Sequence, residues 1–328
     1  MTRILTSLLL TLMLAACGDS GGLAVSTAAQ APVAGASPVS PQPALKRVAL
    51  VMKTLTNPFF IEMEKGARRA EKELGVDLQV KTAAQETSIE QQIQIVDDMI
   101  AAKVDAIVIA PGDSQRLVPV LKKALERGIK VVNLDNRLDP AAIAQAGLAP
   151  IPFISVDNEQ AAYRAAKFLA ADVAQPTEAA IIEGIRSADN ARQRLAGAKR
   201  AFAENPAITL VAAESASWKI DEGYAVTKQL FAKHPNVRLI FAANDMMGFG
   251  VLKYLQETGK SDVKVGSYDA LPEAMAEVKA GRLAVTVDQQ AAQQGFQGVA
   301  LALRLLNGDA VAEVLLIDTR LVTSATLK

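Results

Sequence analysis

A chain of 328 residues that is 50% hydrophobic and 21% charged has enough apolar material to bury a core, and its length fits two domains better than one. Lys plus Arg and Asp plus Glu number 35 each, so no basic footprint points to a nucleic-acid partner. A single Cys and a single His exclude a disulfide framework, a thiolate zinc site, a Cys–His dyad and a redox CxxC pair.

The chain opens with Arg3 and an apolar run from Ile4 to Met13, which is too short to cross a hydrocarbon core of ~30 Å. The run ends in the small residues Leu14-Ala15-Ala16 before Cys17, so residues 1–16 read as an export signal. The quartet LAAC resembles the bacterial lipobox, and the only Cys in the chain stands where that motif places its lipidated residue. Removing residues 1–16 takes away Arg3 and no acid, which leaves a near-neutral protein. Residues 17–45 are rich in Gly, Ala, Ser and Pro and lack a periodic apolar face, so they read as a tether with a coil reach of roughly 30 Å.

From Arg47 onward apolar runs alternate with segments of helical period. Strands are expected at 48–52, 78–82, 106–110, 131–134, 153–156, 179–183, 210–213, 239–243, 263–267 and 284–287. Between them, Ile89, Ile93, Val96 and Ile100 form one apolar helical stripe. The runs AIVIA and LIFAA have the continuous apolar character of strands covered on both faces, as in parallel sheets. The expected fold is therefore α/β, with two open, doubly wound sheets.

Open parallel sheets bind ligands beyond the carboxyl ends of their strands. The residues standing there are Asn57-Pro58-Phe59-Phe60, Asp135, Asp157-Asn158, Asn244-Asp245, Tyr268-Asp269 and Gln289. Each Asn or Asp also has a plain reading as a helix cap or turn residue, and Asn57-Pro58 is a good helix start in its own right. Together, carboxylates and amides bridge neighbouring hydroxyls, Arg192 offers a fork of donors, and Phe59, Phe60, Trp218 and Tyr268 offer apolar faces for C–H groups. The set suits a small polyhydroxylated ligand and not a metal ion.

Catalytic signatures are missing. The turn KTLTNPFF has no glycine fingerprint for a dinucleotide, and neither a phosphate loop nor a G-x-S-x-G elbow occurs. Paired carboxylates leave glycoside hydrolysis as the remaining enzymatic alternative. No cofactor is called for.

The segments LTNPFF, DAIVIAPGDS, VVNLD, ARQRLAGAKRAF, LIFAAND, GKSDVKVGSYDALPE and GRLAVTVDQ, in this order, resemble the periplasmic sugar-binding proteins of the ribose-binding type over residues 46–328. The resemblance implies a type I periplasmic binding protein: two α/β domains, joined by three crossover strands, that close on a sugar or polyol by hinge motion. It implies domains of 46–157 with 290–316 and of 158–289 with 317–328. It implies ligand contacts at Asn57, Phe59, Phe60, Asp135, Arg192, Trp218, Asn244, Asp269 and Gln289. The implied protein is a monomer, anchored to a membrane through Cys17 on the periplasmic face or cell surface, that serves the permease of an ABC importer. A sensor of the same fold, signalling to a receptor or membrane kinase, has the same cleft and is the alternative. Two features depart from the ribose-binding pattern: Asn136 stands where that pattern has Arg, and the loop from Arg137 to Pro152 is longer.

Overall fold

The computed structural model describes residues 44–327. The export signal, Cys17 and most of the tether lie outside the described residues. Among those described, no helix is long and apolar enough to cross a membrane.

The first lobe is a six-stranded parallel sheet. Its strands are β1 (Lys46–Met52), β2 (Val76–Thr82), β3 (Ala106–Ile109), β4 (Lys130–Leu134), β5 (Phe153–Ser155) and β11 (Val314–Leu316), in the order β11-β5-β4-β3-β1-β2. Alternate residues of β1 go to opposite faces, as the strand period demands. Val48, Leu50 and Met52 join one apolar core, and Ala49 and Val51 join another. The first core is covered by α1 (Pro58–Leu74) and α10 (Ala291–Leu306), the second by α2 (Ile89–Ala101) and α3 (Val118–Glu126). Burial on both faces is what turns AIVIA into a near-continuous apolar run.

The second lobe has four parallel strands, β6 (Thr177–Glu183), β7 (Ile208–Ser215), β8 (Val237–Ala242) and β9 (Lys264–Gly266), in the order β7-β6-β8-β9. Helices α5 (Asn158–Ala170) and α6 (Asp189–Ala203) pack together, as do α7 (Ile220–Lys233) and α8 (Asp245–Glu257). Gly266 bridges Val285 in parallel, which leads into β10 (Thr286–Asp288), and β10 pairs antiparallel with β12 (Arg320–Val322).

The chain passes between the lobes three times, from β5 to α5, from β10 to α10 and from β11 to β12. All ten expected strands are present with ends shifted by a few residues. The three-residue strands β11 and β12 were not expected, because both are short and largely half-buried or exposed. The long loop folds as α4 (Pro140–Gln145), capped by Asp139, and seats Leu138, Ile143 and Ile151 in the core of the first lobe. It lines a side pocket that shares no residue with the interlobe cavity.

Candidate functional site

Strand order reverses beside β1 in one sheet and beside β6 in the other, and the carboxyl ends of both sheets face each other. Between them lies a cavity of about 230 Å³.

From the first lobe come the residues of the β1–α1 turn. Asn57 caps α1 by accepting from the Phe59 amide at 3.1 Å, while its Nδ2 donates to Glu86 Oε1 at 2.9 Å. The helix-cap reading of this residue holds, and the residue also borders the cavity. Phe59 and Phe60 meet edge to face with centroids 5.1 Å apart, and both rings line the cavity. After β4, Asp135 is held with a left-handed backbone, φ 59°, which directs its carboxylate inward. Lys53 Nζ donates to Asp135 Oδ2 at 2.7 Å and lies 3.9 Å from Glu86.

The second lobe supplies Asn190, Arg194, Trp218, Asn244, Asp269 and, at the passage into α10, Gln289. Arg194 is 2% exposed and is fixed on every side. Its Nε donates to Asn158 at 2.8 Å, Nη1 to the Ala243 carbonyl at 2.8 Å and Nη2 to Gln289 at 3.1 Å. Asp269 lies 3.7 Å from Nη1, and the Tyr268 ring stacks on the guanidinium at 3.8 Å. Each terminal nitrogen makes one hydrogen bond within the protein and carries a second N–H. Asn244 caps α8 through the Met247 amide at 2.9 Å and also borders the cavity. The Asn190 carboxamide oxygen is buried with no protein donor, an acceptor that only a ligand hydroxyl or a water can satisfy.

Eight of the nine residues named from the sequence meet at this cavity, and Arg192 does not. Arg192 is a surface residue bound to Asp189 at 3.2 Å and to the Arg186 carbonyl at 3.3 Å. Two residues along a helix is about 200° of rotation, so Arg192 and Arg194 occupy opposite faces of α6, and the inward one is Arg194. Lys53, Glu86, Asn190 and Arg194 were not anticipated. Of the other strand-end residues, Asp157 is an exposed cap of α5, Asn158 supports Arg194, and Tyr268 packs beneath it.

Strain is concentrated here. Among the described residues, every non-glycine with positive φ except Lys103 borders the cavity or one of its two flanking openings: Asp135, Ser217, Trp218, Asp269, Ala270 and Gln290. Trp218 is positioned by a missing side chain, since a Cβ on Gly184 would fall 2.1 Å from its ring carbons. Gly184→Ala is expected to push the indole from its seat and to weaken ligand binding at least about tenfold, a loss of roughly 1.4 kcal/mol or more. Titration calorimetry checks this, and equal affinity would show that the ring has another place to go.

Burial raises the carboxyl groups of Glu86 and Asp269 above the ordinary carboxylate range, against the pull of Lys53 and Arg194 respectively. Beneath Asp269, Asp245 is fully buried and accepts from Thr286 at 2.8 Å, from the Leu271 amide at 2.8 Å and from Ser267. Burial pushes it up to about 7. An unfolded Asp titrates near ~3.9, so between about pH 4 and pH 7 the folded chain holds a proton that the unfolded chain has lost. Stability from this group is therefore highest in acid, declines across that window and is flat above it. Asp245→Asn is expected to make the melting temperature less sensitive to pH between 5 and 7. Parallel curves for the two proteins in differential scanning calorimetry would contradict this.

Two α/β lobes with parallel sheets, joined by three chain crossings around a polar cavity, define a type I periplasmic binding protein. The family model for the periplasmic binding protein domain matches residues 48–310, and the chain belongs to that family. Within the family it is a ribose-type sugar-binding protein. The D-ribose/D-allose-binding protein of Pseudomonas aeruginosa is 41% identical over 269 residues, covering 81% of this chain and 84% of the relative. The D-allose-binding periplasmic protein of Escherichia coli K12 is 33% identical over 283 residues, covering 84% of this chain and 91% of the relative. An ABC transporter periplasmic solute-binding protein from Actinobacillus succinogenes 130z, solved with bound D-allose, superimposes with a TM-score of 0.81 at 38% identity, over 86% of this chain and 99% of that one.

Proposed function

We propose that this chain captures an aldose monosaccharide, D-allose or D-ribose, between its two lobes and delivers it to the permease of an ABC importer. The observation that carries the reading is the make-up of the cavity wall: two cations, three carboxylates, four carboxamides and three aromatic rings, nearly all buried. A sugar hydroxyl donates and accepts at once, so a wall that mixes donors with acceptors pairs it on both sides. The rings of Phe59, Phe60 and Trp218 cover the C–H faces between hydroxyls. The names of the relatives support the same sugars, and they are binding proteins rather than enzymes.

The contacts we assign are the eight cavity residues named from the sequence, joined by Lys53, Glu86, Asn190 and Arg194. Residues 46–157 with 290–316 make one domain and 158–289 with 317–328 the other, a division supported by the membership of β11 in the first sheet and the pairing of β12 with β10. The protein acts as an exported monomer held at a membrane by lipid on Cys17. Incorporation of labelled palmitate that persists in Cys17→Ser would refute the anchor.

A ligand that binds only the native state raises its melting temperature. At a thousandfold excess over Kd the stabilisation is about 4.1 kcal/mol, expected to raise the midpoint by about 5 °C or more. A thermal-shift panel of pentoses, hexoses, inositols and linear polyols is expected to show that shift for D-allose or D-ribose. A shift confined to inositols or linear polyols would overturn the aldose assignment.

A further inference from the structure

The helix α6 begins without a cap of its own. Its N-cap position is Ala188, which has no side-chain acceptor for the free amides of the first turn. Two of those amides are satisfied from the other lobe. The Asp189 amide donates to Ser114 Oγ at 3.0 Å, and the Asn190 amide donates to Asn136 Oδ1 at 3.3 Å. In the reverse direction the Ser114 amide donates to the Ser187 carbonyl at 3.4 Å.

The acceptors are built into the first lobe. Asn136 is fully buried and its Nδ2 donates to the Pro111 carbonyl at 3.0 Å, which leaves Oδ1 turned toward α6. Asn133 Nδ2 holds the Asn136 carbonyl at 2.8 Å, and Ser114 Oγ lies 3.4 Å from Asn136 Oδ1. Neither Ser114 nor Asn136 lines the cavity, but Asn190 does, and its Nδ2 reaches Asp135 at 3.3 Å. Docking the α6 terminus therefore seats a cavity residue against the opposite wall.

We infer that Ser114 and Asn136 are positioning residues for ligand capture: they cap α6 across the cleft and latch the lobes together through protein bonds alone. The departure at position 136 thus removes a cation and supplies a latch in its place. The latch lowers the fraction of open protein, and apparent affinity scales with the closed fraction. It contributes to ligand retention without touching ligand. Loss of a helix cap corresponds to about a 2- to 30-fold change in an equilibrium constant.

The test compares wild type, Ser114→Ala and Asn136→Ala by stopped-flow binding of D-allose and by amide hydrogen exchange. The expected result is a 2- to 30-fold faster dissociation in each variant with the association rate unchanged, and loss of protection confined to the amides of Asp189 and Asn190. Unchanged dissociation, or equal protection of those two amides in all three proteins, would overturn the latch. Only the probe rests on the aldose reading. If D-allose does not bind the wild type, that reading fails, and the latch is tested on the ligand-free proteins. There the account expects the two amides to be protected in wild type and exposed in Ser114→Ala; equal exchange would overturn it.

Discussion

Arg194→Ala is expected to reduce sugar affinity by roughly 100-fold or more, while Arg192→Ala leaves it within about twofold. The two arginines are two residues apart and chemically alike, so the contrast isolates position. Arg194 holds Asn158, the Ala243 carbonyl and Gln289 and neutralises Asp269, all in a site that water scarcely reaches. Removing it leaves a buried carboxylate without its cation, and breaking such a pair costs about 3–5 kcal/mol. Part of that cost falls on folding, so the melting temperature of Arg194→Ala should drop as well. Arg192 lies in solvent with Asp189, a setting in which ion pairs contribute little. Similar affinities for the two variants would contradict the placement of Arg194.

The second large effect belongs to Lys53 and Asp135. Their 2.7 Å bond joins two groups that are each about 3% exposed, and both carry further polar duties at the cavity. Asp135→Ala is expected to weaken sugar binding by roughly 5- to 150-fold, since a lost partner in a buried site costs about 1–3 kcal/mol. Lys53→Met should weaken binding by a similar factor, because the buried Asp135 then loses the cation it is paired with. Once one partner is absent, loss of the other has less to remove. The double variant should therefore lose less than the product of the single effects, and calorimetry on all four proteins measures that difference. Strictly multiplicative losses would show that the two residues act independently.

The fold was legible because two-face burial writes continuous apolar runs into the chain, and ten strands could be placed by them. What escaped were β11 and β12, three residues each with little burial to record. The site was legible where a residue stands directly after a strand or at a helix cap, as do Asp135, Asn244 and Gln289, or within a few residues of a strand end, as does Asp269. Lys53 also follows its strand, but a lysine there reads as an ordinary surface residue, and its burial comes from contacts remote in sequence. Glu86 sits in the loop before α2 with no local pattern to mark it. Asn190 and Arg194 were missed for a related reason. The start of α6 has no capping side chain, so nothing local fixed the phase of the helix, and the cap comes from Ser114 and Asn136 of the other lobe. A signal written across two lobes cannot be read from one segment.

The most direct test of the account is isothermal titration calorimetry of protein that has been unfolded in guanidinium, dialysed free of any carried ligand and refolded, against D-allose and D-ribose. The account predicts saturable binding of one of these aldoses with one site per chain and a Kd of about 1 μM or below, as expected for a monosaccharide whose hydroxyls are paired in a closed cleft. No heat with either sugar, from protein whose native melting transition has returned, would contradict it.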